Sequence, residues 1–125
     1  MSDDGKMPVV MIVEDHPLIR MTGVDIFEDA GYEVVEAESA DDAIAILEGS
    51  SDVRLMFSDV DMPGCMDGVA LAEFVHARWP DIRLIITSGH HQIADADLPD
   101  DGRFVPKPYS SGAVVAQAKD LLDES

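Results

Sequence analysis

The sequence predicts an α/β fold in which a five-stranded parallel sheet is doubly wound, with helices packed on both of its faces. Short β-branched apolar runs alternate along the chain with segments whose apolar residues recur every three or four positions. The chain has 125 residues, the length of one domain, and 46% of them are hydrophobic, which is enough to build one core. We therefore expect a single domain over residues 8–125 and a disordered tail over residues 1–7.

Five short segments have the composition of buried parallel strands. They are rich in Val, Ile, Leu and Phe, and acidic, hydroxyl or turn-forming residues follow them. In chain order these segments are residues 8–14, 32–37, 53–58, 82–87 and 103–105. Because a helical pattern follows each segment, the strands are expected to be joined by right-handed crossovers and to run parallel.

The helical patterns are delimited by residues that commonly start or stop helices. These residues are Gly31, Ser39, Gly49, Pro80 and Ser110. In the first helix, the residues expected to face the sheet are Ile19, Gly23, Ile26, Phe27 and Ala30. Residues 88–102 contain Pro99, Gly102 and few large apolar side chains, so the fourth helix is expected to be short or irregular.

The charge balance of the chain is strongly acidic. There are 26 Asp and Glu against 8 Lys and Arg, a formal net charge of −18. Such a field repels phosphate backbones and anionic lipids, so no direct binding to nucleic acid or to a membrane is expected. The one cysteine, Cys65, cannot form an internal disulfide, and the N-terminus lacks the pattern of a secretory signal. These features favour a cytoplasmic protein.

Polar side chains of three chemical types follow the predicted strands. Glu14 and Asp15 follow the first strand, Asp59 and Asp61 the third, Thr87 ends the fourth, and the fifth leads to Lys107. The carboxyl ends of parallel strands meet at one edge of a sheet, where doubly wound folds bind their ligands. Carboxylate oxygens gathered there suit Mg²⁺, and one carboxylate can attack a phosphoryl donor. The joint pattern therefore predicts a metal-supported acidic pocket for phosphoryl chemistry, although each residue taken singly is ordinary.

Four motifs in this order resemble those of one protein family. They are IVED, FSDVDMPG, LIITSG and FVPKPY, and together they span most of the chain. The chain resembles the receiver domain of two-component response regulators, the chemotaxis-regulator-like family. The resemblance implies the strand order 2-1-3-4-5 and a phosphoryl group accepted on Asp59, four residues before the proline of the Met-Pro-Gly turn.

The resemblance also implies a role for each polar residue at the sheet edge. Mg²⁺ would be bound by Asp15 and Asp59, with Glu14 assisting and the main-chain carbonyl of Asp61 as a further ligand. Lys107 would contact the phosphoryl group, Thr87 would be the switch hydroxyl, and Phe104 would be the aromatic residue that rotates with it. The phosphoryl donor would be a sensor histidine kinase or a histidine phosphotransfer protein, and a downstream protein target would respond to the phosphorylated state.

Some features depart from the commonest pattern of this family. The acceptor loop reads MPGCMDG, one residue longer than MPGMDG, with Cys65 as the additional residue. A loop-filling role is expected for Cys65, because no basic residue lies near it in sequence to activate the thiol. His90 and His91 are expected to lie on a surface loop, since no third metal ligand accompanies them.

Other functions remain open at the level of sequence. A single-domain response regulator signalling through protein contacts is the favoured hypothesis, and a phosphate sink or shuttle in a phosphorelay is a variant of it. The alternative from another class is a phosphatase of the haloacid-dehalogenase type, which would use Asp59 as the nucleophile and Asp61 as the acid/base. Those enzymes usually have a longer chain with a cap, and their metal-binding acids follow the lysine rather than precede it.

Overall fold

The computed structural model describes residues 8–49, 52–59, 68–88, 102–106 and 109–123. The strands are β1 (Val9–Val13), β2 (Glu33–Ala37), β3 (Val53–Asp59), β4 (Arg83–Ser88) and β5 (Arg103–Pro106). The helices in the described ranges are α1 (Pro17–Asp29), α2 (Ala40–Gly49), α3 (Gly68–Arg78) and α4 (Ser111–Asp123). All neighbouring strands are parallel, in the order β2-β1-β3-β4-β5, which confirms the predicted topology. The helix expected between β4 and β5 lies outside the described residues.

Within the described residues, two helices pack on each face of the sheet, and each face has its own apolar core. On the α2/α3 face, these helices pack on strand residues that include Met11, Val13, Met56, Leu84 and Ile86. On the α1/α4 face, α1 and α4 pack on the alternate strand residues, including Val10, Ile12, Leu55, Phe57 and Ile85. Because successive side chains of a strand point to opposite faces, a strand buried on both sides must be apolar throughout. This requirement explains the unbroken apolar runs in the sequence.

The ends of the helices follow the predicted capping residues. Gly31 has a φ of 98°, and its N–H donates to the carbonyl oxygen of Glu28 at 3.0 Å, while the N–H of Tyr32 donates to that of Phe27 at 3.0 Å. This pair of bonds is the Schellman arrangement, in which glycine adopts a left-handed conformation at little cost. The hydroxyl oxygens of Ser39 and Ser110 accept the N–H groups of Asp42 and Ala113, both at 3.1 Å. The predicted stop at Gly31 and the two serine caps are therefore confirmed.

The sheet-facing side of α1 differs from the expectation at its first turn. Gly23 and Phe27 are buried as predicted, but the side chain of Ile19 is 36% exposed. The helix meets the sheet one turn after Ile19, at Gly23, where an added Cβ would lie 3.3 Å from Cγ2 of Ile12. The prediction that Ile19 faces the core is therefore wrong, because the apolar spacing extends beyond the part of α1 that contacts the sheet.

Replacement of Gly23 by valine is expected to lower the free energy of unfolding by about 1–3 kcal/mol, the usual cost of overpacking a core. Its side chain would press on Ile12 and Phe57, which lie directly beneath the helix. The matched control is Gly112→Ala in α4, where a new Cβ meets nothing within 4 Å. That change is expected to raise stability by up to about 1 kcal/mol through helix propensity. Urea unfolding measures both, and equal stability of Gly23→Val and the wild type would contradict close packing at this position.

Candidate functional site

The strand register brings the predicted site residues of three strands to one edge of the sheet. Asp59, the last residue of β3, is paired with Thr87 of β4. On the other side of β3, Ser58 is paired with Val13, so Glu14 follows β1 at the level where Asp59 ends β3. This edge holds the carboxyl ends of the three central strands, the ligand-binding edge of doubly wound sheets. The structure therefore places Glu14, Asp59 and Thr87 at this one edge.

Three carboxylates form a cluster at this edge. One oxygen from each of Glu14, Asp15 and Asp59 lies within 4.8 Å of the others. Glu14 and Asp59 are each only 5% exposed, and Asp15 is the more accessible member. Carboxylate groups held this close repel one another unless a cation lies between them. Three hard oxygen donors, one of them accessible, fit Mg²⁺, which retains several waters and accepts phosphate oxygens as ligands.

The turn that carries Glu14 and Asp15 is held by several hydrogen bonds. The N–H of Glu14 donates to the carbonyl oxygen of Ala37 at 3.0 Å, and Oε2 of Glu14 accepts the N–H of His16 at 3.2 Å. The guanidinium of Arg20 donates to the carbonyl oxygen of Glu14 at 2.9 Å. Reasoning from the sequence missed Arg20. Its position five residues after Asp15 in a chain with only 8 basic residues was an available signal.

Thr87 places a buried hydroxyl at this edge. Thr87 is 2% exposed, and its Oγ1 has no hydrogen-bond partner among the residues that the structure describes. A buried hydroxyl without a partner loses its hydration and gains no bond in return. Because Thr87 is paired with Asp59 across β3 and β4, this hydroxyl is placed to donate to a group attached to the Asp59 carboxylate.

Of the remaining predicted residues, Phe104 is among those that the structure describes. Phe104 is half-buried, is paired with Ile86 and packs on the α2/α3 face, whereas Thr87 is paired with Val105, which packs on the α1/α4 face. Thr87 and Phe104 are thus diagonal neighbours across β4 and β5. The expectations for Asp61, Cys65, His90, His91 and Lys107 fall outside the described residues.

Thr87→Val is expected to raise the free energy of unfolding by about 1 kcal/mol, because the methyl group has the shape of the hydroxyl without its desolvation cost. The matched control is Ser58→Ala, which removes a buried hydroxyl that does have a partner, the carbonyl oxygen of Asp59 at 3.2 Å. That control is expected to be destabilised by about 1 kcal/mol. Urea unfolding without Mg²⁺ compares them, and a destabilised Thr87→Val would show that Oγ1 is hydrogen-bonded in solution.

Together, the topology and the cluster define a doubly wound α/β domain with an acidic site, suited to binding a cation, at the carboxyl ends of its strands. The chain belongs to the response regulator receiver domain family, whose family model matches residues 10–119. It is therefore a receiver domain of a two-component system, a phospho-acceptor signalling domain of the kind that takes phosphoryl groups from histidine kinases and binds Mg²⁺ at an acidic pocket.

Similar proteins and structures agree with this assignment. The sensor kinase CckA of Brucella abortus (strain 2308) is 38% identical over 119 residues, which are 92% of this chain and 12% of that protein. The crystal structure of the receiver domain of the hybrid histidine kinase CckA is 27% identical with a TM-score of 0.78, covering 91% of this chain and 98% of that one. A CheY-like receiver domain protein from Methanospirillum hungatei JF-1 is 26% identical with a TM-score of 0.85, covering 95% and 96%.

The matched relatives are mostly much longer proteins. The chain spans 12% of CckA and 25% of the transcriptional regulatory protein DctD of Rhizobium meliloti (strain 1021). The likeness therefore covers only part of each of these relatives. None of the helices in the described part of this chain is long and apolar enough to cross a membrane.

Proposed function

We propose that this chain is a single-domain response regulator that accepts a phosphoryl group on Asp59 in a Mg²⁺-dependent reaction. The receiver domain would span residues 8–125 behind a disordered tail over residues 1–7, and it would act in the cytoplasm. The observation that carries the proposal is the cluster of Glu14, Asp15 and Asp59 within 4.8 Å, with Asp59 paired to Thr87. The cluster supplies a cation site and a nucleophilic carboxylate at the same edge of the sheet.

The transfer step is a substitution at phosphorus. A carboxylate oxygen of Asp59 attacks the phosphorus atom of a phosphohistidine, an O–P bond forms, the N–P bond breaks, and the imidazole leaves and takes up a proton. Asp59 ends β3 within 4.8 Å of Glu14 and Asp15, so its carboxylate would lie beside the bound cation during the attack. Mg²⁺ bound at the cluster would neutralise charge on the phosphoryl oxygens. Asp15 and Glu14 would hold the metal together with the main-chain carbonyl of Asp61.

The phosphorylated state would be read through Thr87 and its neighbours. The hydroxyl of Thr87, buried and without a partner among the described residues, would donate to one phosphoryl oxygen. The ammonium of Lys107 would hold another. Movement of Thr87 toward Asp59 would free space beside β4 and β5, and Phe104 would shift into it. Such a change is a population shift between two arrangements, which a downstream protein target distinguishes by binding one of them better.

The donor protein is expected to dock on the first turns of α1. The large hydrophobic side chains exposed in the described ranges are all here, namely Leu18 at 68%, Met21 at 58% and Ile19 at 36%. They begin three residues after Asp15, so a protein bound to them would lie beside the acidic cluster. Association through such a patch buries apolar surface beside the reacting carboxylate. We propose a sensor histidine kinase or histidine phosphotransfer protein as the partner.

Leu18→Glu is expected to slow phosphotransfer from a phosphorylated histidine phosphotransfer protein at least about tenfold. The reason is that a charged side chain would replace an apolar one that the interface buries. Phosphorylation by acetyl phosphate, a small donor with no interface, is expected to stay at the wild-type rate. The matched control is Ala45→Glu on the exposed side of α2, away from the cluster. Radiolabel transfer measures all three proteins, and equal transfer to Leu18→Glu and the wild type would place the donor elsewhere.

The experiment that tests the proposal is exposure of the wild-type chain to acetyl phosphate with Mg²⁺ and with EDTA. We expect one phosphoryl group per chain in the intact mass with Mg²⁺, none with EDTA, and loss of the group on treatment with hydroxylamine. Continuous Mg²⁺-dependent turnover of a phosphate ester would instead indicate the phosphatase alternative. A phosphorylated chain that passes its group back to a phosphotransfer protein, with no target bound, would indicate the sink or shuttle.

A further inference from the structure

Arg20 connects α1 to two other parts of the molecule. Its Nη1 donates to the carbonyl oxygen of Glu14 at 2.9 Å, and its Nε donates to Oε1 of Glu36, on β2, at 3.0 Å. The Arg20 side chain is 16% exposed, whereas that of Glu36 is 54% exposed. The bond to Glu36 is thus a partly exposed ion pair of the kind that contributes little to stability. The bond to Glu14 is different, because its acceptor is a main-chain atom inside the acidic site.

The carbonyl that Arg20 holds belongs to the peptide between Glu14 and Asp15. Fixing the plane of this peptide sets the position of the Asp15 Cα relative to Glu14, since the peptide is rigid. Glu14 is also held by β2, because its N–H donates to the carbonyl oxygen of Ala37 at 3.0 Å. The two ends of Glu14 are therefore anchored to different elements, its N–H to a strand and its carbonyl to a helix.

Electrostatic repulsion within the cluster would favour opening of this turn. The three clustered carboxylates repel one another, and the accessible Asp15 would relieve the repulsion if its turn opened toward solvent. Arg20 opposes that opening through the main chain and brings a positive charge close to the turn. Outer groups that orient metal-binding residues are commonly worth about a tenfold to a hundredfold in metal affinity.

We propose that Arg20 is a positioning residue of the acidic cluster: it holds the turn between β1 and α1 closed, so that Asp15 stays close enough to Glu14 and Asp59 to bind a divalent cation with them. This inference rests on the proposed function. It assigns to Arg20 a role that Glu36 only assists, since the bond to the Glu14 carbonyl does not require Glu36.

The test is a calorimetric titration of the folded chain with Mg²⁺ alone, in the wild type and in substituted proteins. Arg20→Ala is expected to bind Mg²⁺ about tenfold to a hundredfold more weakly. Glu36→Gln, which keeps the bond to the Glu14 carbonyl, is expected to lose less than about threefold. Arg103→Ala is the matched control, because Arg103 is a partly buried arginine that bonds Gln117 and Asp120, at 2.6 and 3.0 Å, far from the cluster. The Arg103→Ala variant is expected to bind Mg²⁺ with the affinity of the wild type.

The outcomes separate this inference from the proposed function. Wild-type affinity in Arg20→Ala, or an equal loss in Arg103→Ala, would overturn the positioning role while leaving the proposed function intact. A wild-type chain that neither binds Mg²⁺ nor takes up a phosphoryl group would overturn both. If Arg20→Ala fails to fold, Arg20→Lys replaces it. That variant keeps the charge but has a single nitrogen in place of the two, Nε and Nη1, that make these bonds, so a several-fold loss supports the positioning role and wild-type affinity rejects it.

Discussion

Asp59→Asn is expected to abolish uptake of a phosphoryl group from acetyl phosphate in the presence of Mg²⁺. The amide has nearly the shape of the carboxylate, but its nitrogen replaces a nucleophilic oxygen and it carries no charge. The fold should persist, because Asp59 ends β3 rather than filling either apolar core. Stability in the absence of metal should be at least that of the wild type, since one of three mutually repelling carboxylates has been removed. Intact mass measures the uptake.

The matched control for this prediction is Asp52→Asn. Asp52 is an exposed acid just before the other end of the same strand, so the substitution changes the same chemical group and the same net charge. Uptake in this variant is expected to equal that of the wild type. A phosphoryl group on Asp59→Asn at the wild-type level would show that another side chain is the acceptor, and peptide mapping would then identify it.

Phe27→Ala is expected to lower the free energy of unfolding by about 3–5 kcal/mol, a large share of the stability of a domain of this size. The Phe27 side chain is fully buried on the α1/α4 face. Its ring centroid lies 6.0 Å from that of Tyr32 and 5.7 Å from that of Phe57. Truncation would leave a cavity between helix and sheet and would remove both aromatic contacts. Chemical unfolding followed by circular dichroism measures the loss.

Leu18→Ala on the same helix is the control for Phe27→Ala. Leu18 is also a large apolar residue of α1, but it is 68% exposed, so its truncation should change stability by less than about 0.5 kcal/mol. Similar losses in the two variants would mean that α1 is not packed through Phe27 as the structure shows. The same control protein also tests the docking proposal, because truncation of Leu18 should weaken donor binding without weakening the fold.

Much of the fold follows from local sequence patterns. Strands covered on both faces need unbroken apolar runs, and Gly31 and Ser39 act within their own turns, so such signals are readable without knowledge of distant residues. The exposure of Ile19 shows where this reasoning ends. Apolar spacing marks one side of a helix, but the length over which that side meets the sheet depends on how the helix lies on it.

Part of the site, like part of the fold, could be predicted from the sequence. The types of its residues, and their positions after the strands, already predicted that Glu14, Asp15, Asp59 and Thr87 would converge, because parallel strands end at a common edge. The 4.8 Å spacing of the three carboxylates depends on the conformation of the turn after β1, which is held by contacts from β2 and α1. Such contacts join residues far apart in the chain and have no local signature.

The sequence by itself determined a doubly wound α/β domain with an acidic site after its first and third strands, because strand ends, caps and apolar runs are properties of short segments, and four motifs gave its resemblance to receiver domains. Only the tertiary structure showed that Arg20 holds the peptide between Glu14 and Asp15. It also showed that the hydroxyl of Thr87 is buried without a partner in the described part of the chain. Both features arise from the meeting of distant elements, where the geometry of packing selects one partner for each polar atom or leaves it with none.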